Sequence, residues 1–109
     1  MSTATYIQDS DFETLITYEG PLVIDFTASW CGPCRKIAPL IDQLAEEYEG
    51  RAKVFKIDLD KNKVIAKQFG VRSIPAVLVF KGGELVENMV GVAPYETFTT
   101  ALEKHLEGS

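Results

Sequence analysis

Leu22-Val23-Ile24-Asp25-Phe26-Thr27-Ala28-Ser29-Trp30-Cys31-Gly32-Pro33-Cys34 is the stretch on which the fold turns. Behind Pro21 it opens as an apolar run suited to a strand buried on both faces. It ends where a different pattern begins. Over residues 33–49, Ile37, Leu40, Ile41, Leu44, Ala45 and Tyr48 repeat at helical spacing on one face. Arg35, Lys36, Asp42, Gln43, Glu46 and Glu47 take the other. Both cysteines of the chain stand at this strand-to-helix junction, two residues apart. Gly50 is a natural helix stop, and Pro39 inside the helix removes one backbone donor and predicts a kink.

Outward from that unit, helix and strand patterns alternate. Thr5-Tyr6-Ile7 is a short strand, and Ser10 with Glu13 forms a capping-box pattern ahead of Phe12, Leu15 and Ile16. Residues 53–59 read as a second central strand, and 62–69 as a short helix ended by Gly70. Residues 76–80 and 84–90 pair through Gly82-Gly83, which can take the positive φ of a tight hairpin. Pro94 suits the first turn of a last helix with Phe98, Ala101, Leu102 and Leu106 on its apolar face. The order β-α-β-α-β-α-β-β-α demands a parallel pair from its βαβ part and adds antiparallel strands through the hairpin. The expected fold is a mixed sheet covered by helices, with Cys31 at the carboxyl end of a central strand, where open α/β sheets place their sites.

Bulk properties narrow the function. The 109 residues, 46% hydrophobic and 25% charged, suit one soluble domain spanning 1–109, ordered over about residues 5–107, with residues 1–3 and Gly108-Ser109 loose. Net charge is −5, and the first 34 residues carry five acids and no Lys or Arg. That balance excludes a nucleic-acid backbone as partner. The longest apolar run, Ala76 to Phe80, is far short of the roughly 20 residues of a membrane span. The N-terminus lacks the marks of a signal or transit peptide. A cytoplasmic protein is expected, or one in an organelle matrix after removal of an import signal. Nothing argues against a monomer.

The spacing of the cysteines carries the chemistry. Residues three apart on a helix face the same side, about 5–6 Å apart, within reach of a disulfide. Cys31 lies near the free N–H groups and positive end of the helix dipole, which stabilise a thiolate. Cys34 is further in and shielded. Cys31 is therefore the expected nucleophile and Cys34 the thiol that resolves the mixed disulfide. Gly32 allows a partner chain to approach closely, and Pro33 stiffens the loop and favours a reducing couple. Zinc would need four ligands, and the chain offers two cysteines and the distant His105, so no metal is expected. A c-type haem would need His after Cys34, where Arg35 stands.

The segment Phe26 to Cys34 resembles the active-site signature of the thioredoxin family. Ile74-Pro75 resembles that family's cis-proline loop, and Val90-Gly91 its glycine loop. The likeness runs over about residues 5–107. It implies a three-layer α/β/α fold, with a mixed sheet of about five strands and four helices. It implies a protein-disulfide oxidoreductase that reduces target proteins by exchange through Cys31 and Cys34, with no cofactor. A separate thioredoxin reductase, NADPH- or ferredoxin-dependent, would restore it. Asp25 would be a buried carboxylate that moves the proton of Cys34, with Lys56 beside it. Trp30, Gly32, Pro33, Ile74, Pro75, Gly91 and Val92 would dock the partner. Many thioredoxins carry a second Trp where this chain has Thr27, which questions the local packing.

Asp25 is notable on its own terms, because an acid amid Leu22-Val23-Ile24 and Phe26 is costly to bury ionised and its pKa should rise. Lys56, inside Val54-Phe55-Lys56-Ile57, could equally snorkel to solvent. Two rival functions remain: an oxidase or isomerase domain of an oxidising compartment, and a partner-binding module with idle thiols.

Overall fold

A computed structural model describes residues 3–106. The expected looseness of the two ends therefore falls outside the described residues, Thr3 aside. Five strands, β1 (Thr5–Ile7), β2 (Leu22–Thr27), β3 (Lys53–Asp58), β4 (Ala76–Lys81) and β5 (Glu84–Val90), form one sheet in the order β1-β3-β2-β4-β5. β1 and β2 run parallel to β3, and β4 is antiparallel to both β2 and β5. Four helices cover it: α1 (Phe12–Leu15), α2 (Gly32–Glu47), α3 (Val64–Gln68) and α4 (Tyr95–Glu103). This is the expected α/β layering.

The centre of the sheet is where the apolar run lies. β2 sits between β3 and β4, and Leu22 through Phe26 are all buried. Alternation along its strands sends side chains to two cores. Val23, Val54, Val77 and Val79 pack under α2 and α4, against Ile37, Ile41, Leu44, Phe98 and Leu102. Leu22, Ile24, Phe26, Ile57, Leu78 and Phe80 pack on the other face against Phe12, Ile65 and Ala66. Each fully buried side chain of this size contributes about 1.5–3 kcal/mol of transfer free energy. α2 holds the valine-rich face because its periodic residues Ile37, Ile41 and Leu44 are all buried. Pro39 lies within α2 but is exposed, so the carbonyl it leaves without a helical donor is on the outer side of the helix.

Two local features differ from expectation, and a third was not foreseen. The first helical turn starts earlier than Ser10. A short 3-10 segment, Asp9–Asp11, is closed by the Gln8 N–H donating to Asp11 Oδ2 at 2.9 Å, so Gln8 and Asp11 do what Ser10 and Glu13 were expected to do. Pro94 is the residue before α4 rather than within its first turn. Its extended backbone ends the preceding loop and its carbonyl accepts from Thr97 N at 3.0 Å. Asp9 reaches across sequence to cap α3, its two carboxylate oxygens accepting from Val64 N and Ile65 N at 3.0 Å each. The β4–β5 turn is as expected: Gly82 and Gly83 have φ of 62° and 82°, which a side chain would strain.

Candidate active site

Four segments meet at the carboxyl end of β2. The register that pairs Phe26 with Ala76 brings the loop before β4, Ile74-Pro75, beside the exit of β2. The pairing of Ala76 with Val90 brings Gly91-Val92 beside that loop in turn. The Gly91 N–H donates to the Pro75 carbonyl at 2.8 Å, and Gly91 has φ +93°, a conformation that favours glycine at this corner. The Ile74–Pro75 peptide is cis. Cys31 and Cys34 complete the cluster with Ala28, and Ile74 packs against them. The sheet topology thus joins residues more than forty positions apart in sequence.

The two cysteines form a disulfide with their Cα atoms 5.3 Å apart. Cys31 is the N-cap of α2, with extended backbone, and its Sγ accepts the N–H of Cys34 at 3.1 Å. That bond occupies one of the donors a helix start leaves free, and it points at the sulfur where a thiolate would form. Both residues are covered, Cys31 at 4% and Cys34 at 1% exposure, so in the disulfide form they differ in hydrogen bonding more than in accessibility. A Cβ built on Gly32 would meet nothing within 4 Å, which leaves open space beside the disulfide. Trp30 is 68% exposed, yet its ring is held. Its Nε1–H donates to Asp60 Oδ1 at 2.8 Å, and Ser29 Oγ–H donates to Asp60 Oδ2 at 3.0 Å. The two bonds, that from Trp30 first, hold the Asp60 carboxyl below the usual range. The Arg35 guanidinium closes the loop by donating to the Ser29 carbonyl at 2.9 Å. Sequence reasoning missed Asp60, because a short acidic loop after a strand has no spacing that ties it to an indole thirty residues earlier.

Asp25 is 1% exposed, and one of its carboxylate oxygens is buried without a hydrogen-bond partner. Desolvation pushes its pKa up to about 7, the nearby Lys56 ammonium pulls it down, and Asp42 adds to the rise. Lys56 stands opposite Asp25 in the β2–β3 register. It does not snorkel to water, being 7% exposed. Its ammonium is 3.1 Å from Asp42 Oδ1 on α2, so the acid it pairs with is not Asp25. A cleft of about 220 Å³ lies beside Thr27, lined also by Tyr6, Cys34, Arg35 and Ala38. A larger depression of about 680 Å³ lies at the other end of the sheet, around Pro21, Arg51 and Lys81, and holds no thiol.

The thioredoxin family model matches residues 3–104. The chain belongs to the thioredoxin family. It is 46% identical over 107 residues to thioredoxin 1 of Nostoc sp., covering 97% of this chain and all of that protein. It is 44% identical to a thioredoxin of Synechocystis sp. over the same length and with the same coverage. A chloroplastic M-type thioredoxin of Spinacia oleracea is 46% identical over 101 residues, which span 92% of this chain and 56% of that one. Among solved structures, a mutant thioredoxin from Halobacterium salinarum superposes with a TM-score of 0.89 at 32% identity, covering 98% of this chain and 94% of that one. With its redox-active cysteine pair, this thioredoxin-family protein is a dithiol–disulfide oxidoreductase. Its partners are disulfide-containing target proteins and a reductase that restores the dithiol. Among the described residues, no helix is long and apolar enough to cross a membrane.

Proposed function

We propose that the exchange runs through Cys31 as nucleophile and Cys34 as resolving thiol, in the direction of target reduction. The observation that carries this is the Cys34 N–H bond to Cys31 Sγ at the start of α2. A donor already aimed at that sulfur stabilises a thiolate there without rearrangement. The Cys31 thiolate attacks one sulfur of the target disulfide, and the other sulfur leaves as a thiolate that takes a proton from water. A mixed disulfide results. Asp25 then accepts the Cys34 proton, and the new thiolate attacks Cys31 Sγ. The second target sulfur leaves and takes up a proton. The target gains two electrons and two protons; the Cys31–Cys34 pair loses two electrons, the Cys34 proton to Asp25 and, on forming the Cys31 thiolate, the Cys31 proton to water.

The partner segment docks along Trp30, Gly32, Pro33, Ile74, Pro75, Gly91 and Val92. Their shared position at one end of the sheet, the exposure of Trp30 and Val92, and the open space at Gly32 support this. The reductase is a thioredoxin reductase, NADPH- or ferredoxin-dependent, and the protein works as a monomer in a reducing compartment, the cytoplasm or an organelle matrix. Cys34→Ser tests the assignment of roles. It should accumulate target proteins covalently attached through Cys31 and released by dithiothreitol, while Cys31→Ser traps none. Trapping on Cys31→Ser but not on Cys34→Ser would reverse the roles. The direction is tested by the reduction potential, read in thiol buffers through Trp30 fluorescence. A value near or below about −250 mV fits a reductant, and one above about −200 mV would make the protein an oxidant or isomerase.

A further inference from the structure

The β-sheet register places five side chains in one row under α2: Tyr6, Lys56, Asp25, Val77 and Met89, one from each strand. Lys56 is the only cation in the row and Asp25 the only acid. Their side chains nevertheless do not form the ion pair that the register invites. The Lys56 ammonium turns to Asp42, two turns beyond Cys34 on α2, at 3.1 Å. Asp42 is itself fixed, because the same Oδ1 accepts the Ala4 N–H at 3.0 Å, from the segment leading into β1. Ala4 is buried, so this backbone bond is partly shielded from competing water. Asp25 is left with a buried oxygen that has no partner.

The charged or titratable groups that face Asp25 are few. β3 supplies Lys56, and α2 supplies Asp42. β4 presents Val77 and β5 Met89, while β1 presents Tyr6, whose ring lies 5.8 Å from Lys56 Nζ. α4 contributes the apolar Phe98 and Leu102 to this core. Among the described residues, one cation and one competing anion therefore govern the charge balance around Asp25.

We propose that Asp42 is a positioning residue for the dithiol exchange: by holding Lys56 against α2 and anchored to the Ala4 N–H, it withholds the ammonium from Asp25, so that the Asp25 carboxylate stays a strong enough base to take the Cys34 proton. This rests on the reading of Asp25 as the proton carrier for Cys34. Without the Asp42 charge, Lys56 is free to swing along the row and compensate an ionised Asp25. The carboxyl would then give up its proton at lower pH and become a weaker acceptor.

The test is a titration of the Asp25 carboxyl by carbon-13 NMR, its resonance assigned by loss in Asp25→Asn. It is run on the parent protein, Asp42→Asn, Lys56→Met and the double variant. Asp42→Asn should lower the Asp25 midpoint by about one pH unit, and the pH profile of mixed-disulfide release should move with it. Asp42→Glu, which keeps the charge, should hold the parental midpoint. In the Lys56→Met background, Asp42→Asn should move the midpoint by well under half as much. An equal shift in both backgrounds means that Asp42 acts directly through space, and overturns the proposal. So does an unmoved midpoint in Asp42→Asn. A midpoint that moves while the release profile does not would remove Asp25 from the proton transfer, and Asp42 from the reaction with it. Asp42→Ser serves the same comparison if Asp42→Asn melts without cooperativity.

Discussion

The two faces of the sheet are built from one set of strands but to different specifications. Under α1 and α3 the core is hydrocarbon and rings. Phe12, Phe69 and Phe80 form a triangle of edge contacts with centroids 5.0–5.5 Å apart. Under α2 and α4 the same alternation buries Asp25 and Lys56 among valines. Aromatic edge contacts add packing energy that does not depend on pH. A buried carboxyl does the opposite: it costs stability in its ionised form and gains a titration near neutrality. One face stabilises the fold, and the other holds, at an energetic cost, a carboxyl that titrates near neutrality.

That contrast can be broken from either side. Phe80→Ala removes the ring common to two of the three edge contacts, and should lower the unfolding free energy by about 3–5 kcal/mol. Urea unfolding should show nearly the same loss at pH 5 and pH 8. Asp25→Asn should act with the opposite sign and only at higher pH. In the folded chain Asp25 holds its proton up to about pH 7, against 3.8 for the ordinary carboxyl of an unfolded chain. Between these values the folded state binds more protons, so stability falls as pH rises. The whole interval corresponds to roughly 4 kcal/mol. The stability of Asp25→Asn relative to the parent should therefore improve by about that amount from pH 4 to pH 8. An equal difference at both pH values would show that burial does not hold Asp25 protonated.

A smaller effect sharpens the picture of the ring-bearing face. Asp9→Ala removes the cap that ties the first turn of α3 to the segment before α1, at a cost of about 1 kcal/mol. Amide hydrogen exchange at Val64 and Ile65 should accelerate, while the amides of β2 stay protected. Uniform acceleration across the sheet would mean that this cap holds the whole domain and not one helix.

Local patterns were strong guides wherever one element decides its own form. The β2 run, the α2 periodicity and the Gly82-Gly83 turn were legible because each depends on residues within a few positions. The start of the first helix was misplaced because Ser10–Glu13 carries a capping pattern while Gln8–Asp11, which closes the first turn, carries none that the sequence alone would single out. Within the site, the cysteine spacing stated the chemistry, and family resemblance pointed to the two loops that border the disulfide. Asp60 and Asp42 stayed hidden. Their partners, Trp30 and Lys56, lie in other elements, and an acid on a loop or a helix exterior reads as solvated until those partners are placed.

By itself, then, the sequence determined the alternation of elements, the dithiol at a strand-to-helix junction and the acid inside a buried strand, since periodicity, spacing and composition are properties of neighbouring residues. Only the tertiary structure decided which loops border the disulfide, that the Trp30 ring is held by Asp60, and that Lys56 pairs with Asp42 rather than Asp25. Those outcomes depend on strand register and helix placement, which bring residues together through three-dimensional packing that no local pattern encodes.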